Sequence, residues 1–395
     1  MRLIAGLIAS AVCAASLFAA AQTPAASPPS SAAAAEQFAA DPLNTLAPYA
    51  VILDGDSGEI LYSKLGDEPM IPASMSKLML YYLIFERIRD GRLKLEDEFT
   101  VSEHAWRTGG AGTDGSTMFL KLGSKVSVEN LLKGAVIQSG NDACIALAEG
   151  AAGSEEAFAR EMTARAAELG LTHSTFTNAT GLDDPGHRMS AADIARISFL
   201  IIRDFPQFYP MFRETSFTWN GITQPNRNPL LREVPGADGV KTGHLSSSGF
   251  GLAGSAVREG KRRIVVLQGL SSESERRIEG PRVMRAAFAD FQTYQFVRKD
   301  VEVAVADVWL GQAPSVPLIA TQDVSAGLHV AAAKKMRAEV VYKGPLYAPV
   351  RKGDVVGELI VTAPGMKEIR VPVSAGADVP KLGLFGRAMR GLRGE

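Results

Sequence analysis

The chain is poor in the residues that would support several common chemistries. Of its 395 residues only two are cysteines and five are histidines. Cys13 lies in the N-terminal apolar run, so Cys144 stands alone in the body and no internal disulfide forms there. Cys144 sits among small apolar residues, which suits a small buried hydrophobe better than a reactive thiol. The histidines (His104, His173, His187, His244, His329) form no H-x-x-x-H pair and no His/Cys cluster, which argues against a metal centre. Charge of one sign is also missing: 42 Lys and Arg face 43 Asp and Glu. That balance gives no electrostatic case for binding nucleic acid.

What is present begins with an export pattern. Arg2 gives a thin positive start, Leu3 to Phe18 is apolar, and Ala19-Ala20-Ala21 offers a cleavage site before Gln22. An uncleaved anchor is the rival reading of the same run. Val12 before Cys13 does not suit a lipoprotein signal. Residues 22–45 are rich in Ala, Pro and Ser and read as a linker.

From residue 46 the patterning turns globular. Tyr49–Leu53 and Ile60–Tyr62 flank an Asp56-Ser57-Gly58 turn, as in a hairpin. Pro72 opens a helix whose stretch Leu78 to Ile88 is apolar almost all round, the mark of a central buried helix. Helical segments follow over Val128–Ile137, Ala143–Ala151, Glu155–Leu169 and Ala191–Asp204, the last with Ser190 and Asp193 in capping-box spacing. Strands return at Phe250–Val257 and Arg262–Leu267. Strands at both ends with helices between predict an α+β domain over 46–298, an antiparallel sheet completed by both ends with helices packed on it. Alternating valines from Val301, then Val340–Tyr342, Gly357–Val361 and Ile369–Val373, predict a small all-β domain over 299–376. In 377–395, Leu382, Phe385, Met389 and Leu392 form one helical stripe among Lys381, Arg387, Arg390 and Arg393. That predicts a basic amphipathic helix suited to an anionic membrane surface, although its four glycines each weaken a helix by roughly 1 kcal/mol.

Three motifs carry the chemistry. Ser74-Met75-Ser76-Lys77 is S-x-x-K, Ser139-Gly140-Asn141 is S-x-N, and Lys241-Thr242-Gly243 is K-T-G. Ser74 opens the buried helix, where free N–H groups favour a developing oxyanion. Lys77 lies three residues on, on the same face. In an apolar setting it loses proton affinity and can serve as a base. Each motif alone is weak. Their order matters more, with 65 residues from Ser74 to Ser139 and 102 from Ser139 to Lys241.

Together with Gln138 to Ala143, Thr180-Gly181-Leu182-Asp183, Ser190-Ala191-Ala192-Asp193 and His244, these motifs resemble the low-molecular-mass penicillin-binding proteins. Those are D-alanyl-D-alanine carboxypeptidases of serine peptidase type. The resemblance covers nearly the whole mature chain and implies a β-lactamase/transpeptidase-like fold. It departs modestly at Met75-Ser76 and Leu245. It implies that Ser74 attacks the carbonyl between two D-alanines of a peptidoglycan stem peptide while Lys77 takes its proton. Ser139 would relay a proton to the leaving amine and Asn141 would orient the substrate amide. Lys241 and Thr242 would hold the free carboxylate, with Gly243 beside them. Backbone N–H groups of Ser74 and His244 would form the oxyanion hole, with the His244 side chain in support. Water would complete hydrolysis without metal or organic cofactor. β-Lactams would be inhibitors, and the protein would sit peripherally on the periplasmic face of the inner membrane.

Three other activities compete. A D,D-endopeptidase would use the same site on cross-links. A class A β-lactamase needs a loop glutamate, and none occurs between Glu168 and Glu214. A non-catalytic wall-binding protein would keep the cleft but has no use for the reacting groups. His187 and Arg188 suggest a loop beside the cleft, either solvated or touching substrate.

Overall fold

A computed structural model describes residues 41–383. The expected signal peptide, most of the expected linker and the amphipathic segment from residue 384 lie outside the described residues.

The first domain is built on five antiparallel strands. These are β1 (Tyr49–Asp54), β2 (Ile60–Lys64), β3 (Ala237–Leu245), β4 (Gly249–Arg258) and β5 (Lys261–Leu270). Their order is β2-β1-β5-β4-β3, so the sheet is indeed completed by both ends of the domain. Side-chain alternation divides it into two faces. Val51, Leu53, Ile264 and Val266 point to one apolar core, while Ala50, Ile52, Val265 and Leu267 point to another.

The first core holds the helices α1 (Lys77–Arg89), α2 (Val128–Ile137), α3 (Asn141–Ala152), α4 (Glu155–Glu168) and α5 (Ala191–Asp204). Helices α2 to α5 match those expected from periodicity to within two residues, whereas α1 begins at Lys77 rather than at Pro72, after a 3₁₀ turn. In α1, eight consecutive apolar or aromatic side chains, Leu78 to Phe85, are buried. Each such burial stabilises by roughly 1.5–3 kcal/mol. That holds α1 in place despite the several kcal/mol needed to desolvate Lys77 at its first turn. Ser190 caps α5, its hydroxyl accepting from the Asp193 N–H at 3.1 Å. Only that half of the capping box forms, because the Asp193 carboxylate instead accepts from the His173 N–H and the Ser174 hydroxyl.

The second face is covered by α6 (Glu273–Ala289), which periodicity does not reveal. Its buried apolar positions are few, Gly280, Pro281, Val283, Met284 and Ala287, and they are interrupted by the buried charges Arg276 and Glu279. A Cβ on Gly280 would lie 2.5 Å from Leu252 Cδ2, so glycine lets α6 sit close on β4.

The all-β domain contains a six-stranded sheet. Its order is Arg337–Tyr342, Val355–Thr362, Ile369–Ala375, Ser315–Ala320, Glu302–Trp309 and Leu346–Tyr347. Strand Phe291–Val297 pairs with Val324–His329, so β pairing reaches across the change of texture at residue 299. The C-terminal helix expected over 377–395 does not begin where the stripe does. Residues 377–383 are not helical: Ala377 lies in a bend, Val379 is bridged to Val350 and Lys381 to Gly311. Val379 is buried in the domain core, which outweighs the weak helical preference of this glycine-bearing segment. Among the described residues no helix is long and apolar enough to cross a membrane.

Candidate active site

The turn before α1 places the nucleophile candidate. Ala73–Ser76 is a single 3₁₀ turn rather than the start of a regular α-helix, and Ala73 takes φ +50. Two glycines hold that turn. Gly243 on edge strand β3 lets the strand lie against it, since a Cβ there would meet Pro72 O at 3.0 Å and Ala73 Cβ at 3.2 Å. Gly181, at φ +81, packs directly on the Ala73 carbonyl and the Ser76 hydroxyl from the opposite side. Gly181→Ala therefore clashes with backbone and strains its own φ. It is expected to slow β-lactam acylation of Ser74 by at least about tenfold and to lower the melting temperature. Adduct formation followed by mass spectrometry, beside a thermal melt, checks both.

Lys77 is fully buried at the end of this turn. Its Nζ donates to the Ser139 carbonyl at 2.7 Å and to Asn141 Oδ1 at 2.6 Å. It lies 3.1 Å from Ser74 Oγ and 3.2 Å from Ser139 Oγ. An ammonium has only three protons for these four oxygens. Burial pushes the Lys77 pKa down to about 8. Once neutral, Nζ has a lone pair to receive the Ser74 proton.

Lys241 is buried too, and its Nζ donates to Ser139 Oγ at 2.8 Å and to the Thr242 carbonyl at 3.0 Å. Burial first, and then the nearby Lys77, hold its pKa well below the usual lysine range. The Ser139 hydroxyl thus bridges two amines, and among the described residues neither forms a salt bridge to a carboxylate. Ser139 itself takes φ +63, a left-handed conformation uncommon outside glycine and consistent with a constrained site.

A cavity of about 530 Å³ opens above these groups. Ser74, Ser139, Asn141, Thr242, Gly243 and His244 line it, while Lys77 and Lys241 lie behind its wall. The structure therefore brings all eight sequence-predicted site residues into one place. His244 stacks on Phe250 at 3.9 Å between ring centroids. The cavity also has two cations that motif reading did not find, Arg227 and Arg276. Arg276 lies 5.3 Å over the Phe250 ring and donates to Glu273 Oε1 at 3.0 Å. Arg227 donates to the Ser116 hydroxyl across the cavity at 2.6 Å. Neither arginine sits in a short motif, so only its place in the fold marks it.

Asp142 supports the other wall. Its carboxylate accepts from the Thr117 hydroxyl and from the backbone N–H groups of Met118, Leu120 and Ala143, at 2.8–3.0 Å. It fixes the loop that presents Thr113, Asp114, Gly115 and Ser116 to the cavity.

His187 departs from both earlier readings. It is neither solvated nor in the cleft, but buried edge-on against Phe176. Its Nδ1 accepts from the Thr177 N–H at 3.3 Å. Arg188 turns back to donate to the carbonyls of Asp184 and His187. Burial depresses the His187 pKa to about 4, below the ~6.5 of an exposed histidine. The unfolded chain then binds a proton that the folded chain refuses. His187 is expected to leave stability intact above pH ~6.5 and to erode it as pH falls toward 4. Denaturant melts across that range should show a shallower slope for His187→Leu than for the parent chain.

A serine in the turn before a buried helix, a buried lysine beside it and a cleft that holds two arginines define a serine acyl-transfer enzyme of the penicillin-binding-protein class. Residues 36–271 match the family model for D-alanyl-D-alanine carboxypeptidase, and 291–381 match that for the penicillin-binding protein 5 C-terminal domain. The chain belongs to the D-alanyl-D-alanine carboxypeptidase family of serine peptidases. It is 37% identical over 340 residues to D-alanyl-D-alanine carboxypeptidase DacC of Escherichia coli, covering 85% of each chain. The crystal structure of the carboxypeptidase DacD from Francisella tularensis matches with TM-score 0.74 at 27% identity, covering 86% of this chain and 95% of that one. Penicillin-binding protein D2 from Listeria monocytogenes, in its ampicillin-bound form, matches with TM-score 0.54 at 27% identity, covering 62% and 98%.

Proposed function

We propose that this protein removes the terminal D-alanine from peptidoglycan stem pentapeptides through an acyl-enzyme on Ser74. The observation that carries the reading is the Lys77 amine, fully buried, without a carboxylate partner among the described residues, and 3.1 Å from Ser74 Oγ. Neutral Lys77 takes the Ser74 proton as Oγ attacks the penultimate carbonyl. The C–N bond to the last D-alanine then breaks, and the proton passes by way of Ser139 to the leaving amine. Asn141 orients the peptide amide. Water attacks the ester and regenerates Ser74. The substrate carboxylate meets Thr242, with Lys241 behind it and Arg227 and Arg276 lining the same cavity. A carboxylate there restores proton affinity to Lys241 by direct Coulomb attraction.

β-Lactams acylate the same serine, as the ampicillin-bound relative supports. The leader exports the chain, and the basic C-terminal segment holds it on the periplasmic face of the inner membrane. The charge and apolar stripe of that segment support this.

The test is incubation with a stem pentapeptide and, separately, with a cross-linked dimer, scoring free D-alanine against dimer cleavage. Release of D-alanine that Ser74→Ala abolishes is the expected result. Dimer cleavage alone would make the protein a D,D-endopeptidase. Failure to form any β-lactam adduct at Ser74 would end the serine-enzyme reading.

A further inference from the structure

The all-β domain carries an aromatic rim far along the chain from the catalytic motifs. Trp309 ends one strand and pairs in parallel register with Tyr347. Tyr347 is 75% exposed and Trp309 43%. Trp309, Tyr342, Gly344 and Pro345 line a shallow groove of about 600 Å³ together with Val308 and Asp307. Lys343 is exposed in the turn between Tyr342 and Pro345.

The described chain ends at this rim. Lys381 bridges Gly311, and the Leu382 N–H donates to the Leu310 carbonyl at 2.8 Å. The described residues thus end beside Leu310, next to Trp309 in the chain, and the segment 384–395 follows in the sequence. It carries Phe385, Met389 and Leu392 among Arg387, Arg390 and Arg393, with Glu395 its single acid.

We propose that this rim is a second docking point on an anionic lipid bilayer. Trp309, Tyr342 and Tyr347 sit at headgroup depth, and Lys343 and Lys381 face lipid phosphates. Large rings with one polar handle prefer that depth, because the ring leaves water while the N–H or O–H stays hydrated. Basic residues beside them gain from the negative surface potential. Asp307 is the acid on the rim and opposes the attraction. The rim adds apolar area and positive charge to those of the tail, and binding strength scales with both. The proposal rests on the reading that the tail meets the membrane.

The test is co-sedimentation of the processed protein, without residues 1–21, with phosphatidylglycerol-containing vesicles and with pure phosphatidylcholine vesicles as control. The expected result is preference for the anionic vesicles, with binding about tenfold weaker in Trp309→Ser/Tyr347→Ser at intact tail. Brominated lipid should quench tryptophan emission in the parent and much less in Trp309→Phe. Tyr347→Ser alone alters a side chain exposed enough that misfolding does not explain a loss. β-Lactam acylation should be unchanged in each rim variant. Rim variants that bind like the parent, while deletion of 384–395 abolishes binding, overturn the rim and leave the tail reading standing. A parent chain that ignores anionic vesicles overturns both.

Discussion

Lys77→Gln is expected to slow acylation of Ser74 by about 10²–10⁴-fold while leaving the fold intact. Glutamine stays polar but is one bond shorter than lysine, and its amide offers no basic lone pair to Ser74 Oγ, which Lys77 Nζ meets at 3.1 Å. The loss should fall on the acylation rate constant, read by burst labelling with a fluorescent β-lactam. In the parent, that rate should climb with pH through about 8, because deprotonation of Lys77 creates the base, and then level off. Lys77→Gln should lose the climb along with the rate. A variant that keeps a tenth of parental acylation, or the same rise through pH 8, would remove Lys77 from the role of base.

Asp142→Ala is expected to cost about 3 kcal/mol of stability or more, a large fraction of a domain's total. Four donors converge on that buried carboxylate, three of them backbone N–H groups. Truncation leaves them without acceptors in an interior that water does not reach, at about 1–3 kcal/mol for each group left unsatisfied. The loop they hold forms a wall of the cavity through Thr113 to Ser116, so acylation should slow as well. Asp142→Asn should be intermediate, because its amide keeps one acceptor and turns a donor toward the rest. Chemical denaturation with parallel β-lactam labelling checks both effects. Parental stability in Asp142→Ala would show that the loop is held by other contacts.

Much of the first domain was legible locally. Cap residues and helical periodicity place α2 and α5 at their observed bounds, since both signals lie within a few neighbouring residues. Ser74 and Lys77 fall together for the same reason, three positions apart along one turn. Helix α6 escaped because its buried stripe is small and its remaining surface charged, so its amphipathic signal is faint. The two bridges at Val379 and Lys381 escaped because a stripe of helical spacing says nothing about backbone partners elsewhere in the chain.

The sequence alone determined which groups exist, their order along the chain, and the family they resemble. The tertiary structure decided what each group faces. It set the Lys77 amine against oxygens 62 and 64 residues away, and it put Lys241 behind the cavity wall rather than in it. It drew Arg227 and Arg276 to the cavity and withdrew His187 from it. Burial and long-range contact are properties of the packed whole, and these are what turn a lysine from a solvated cation into a base.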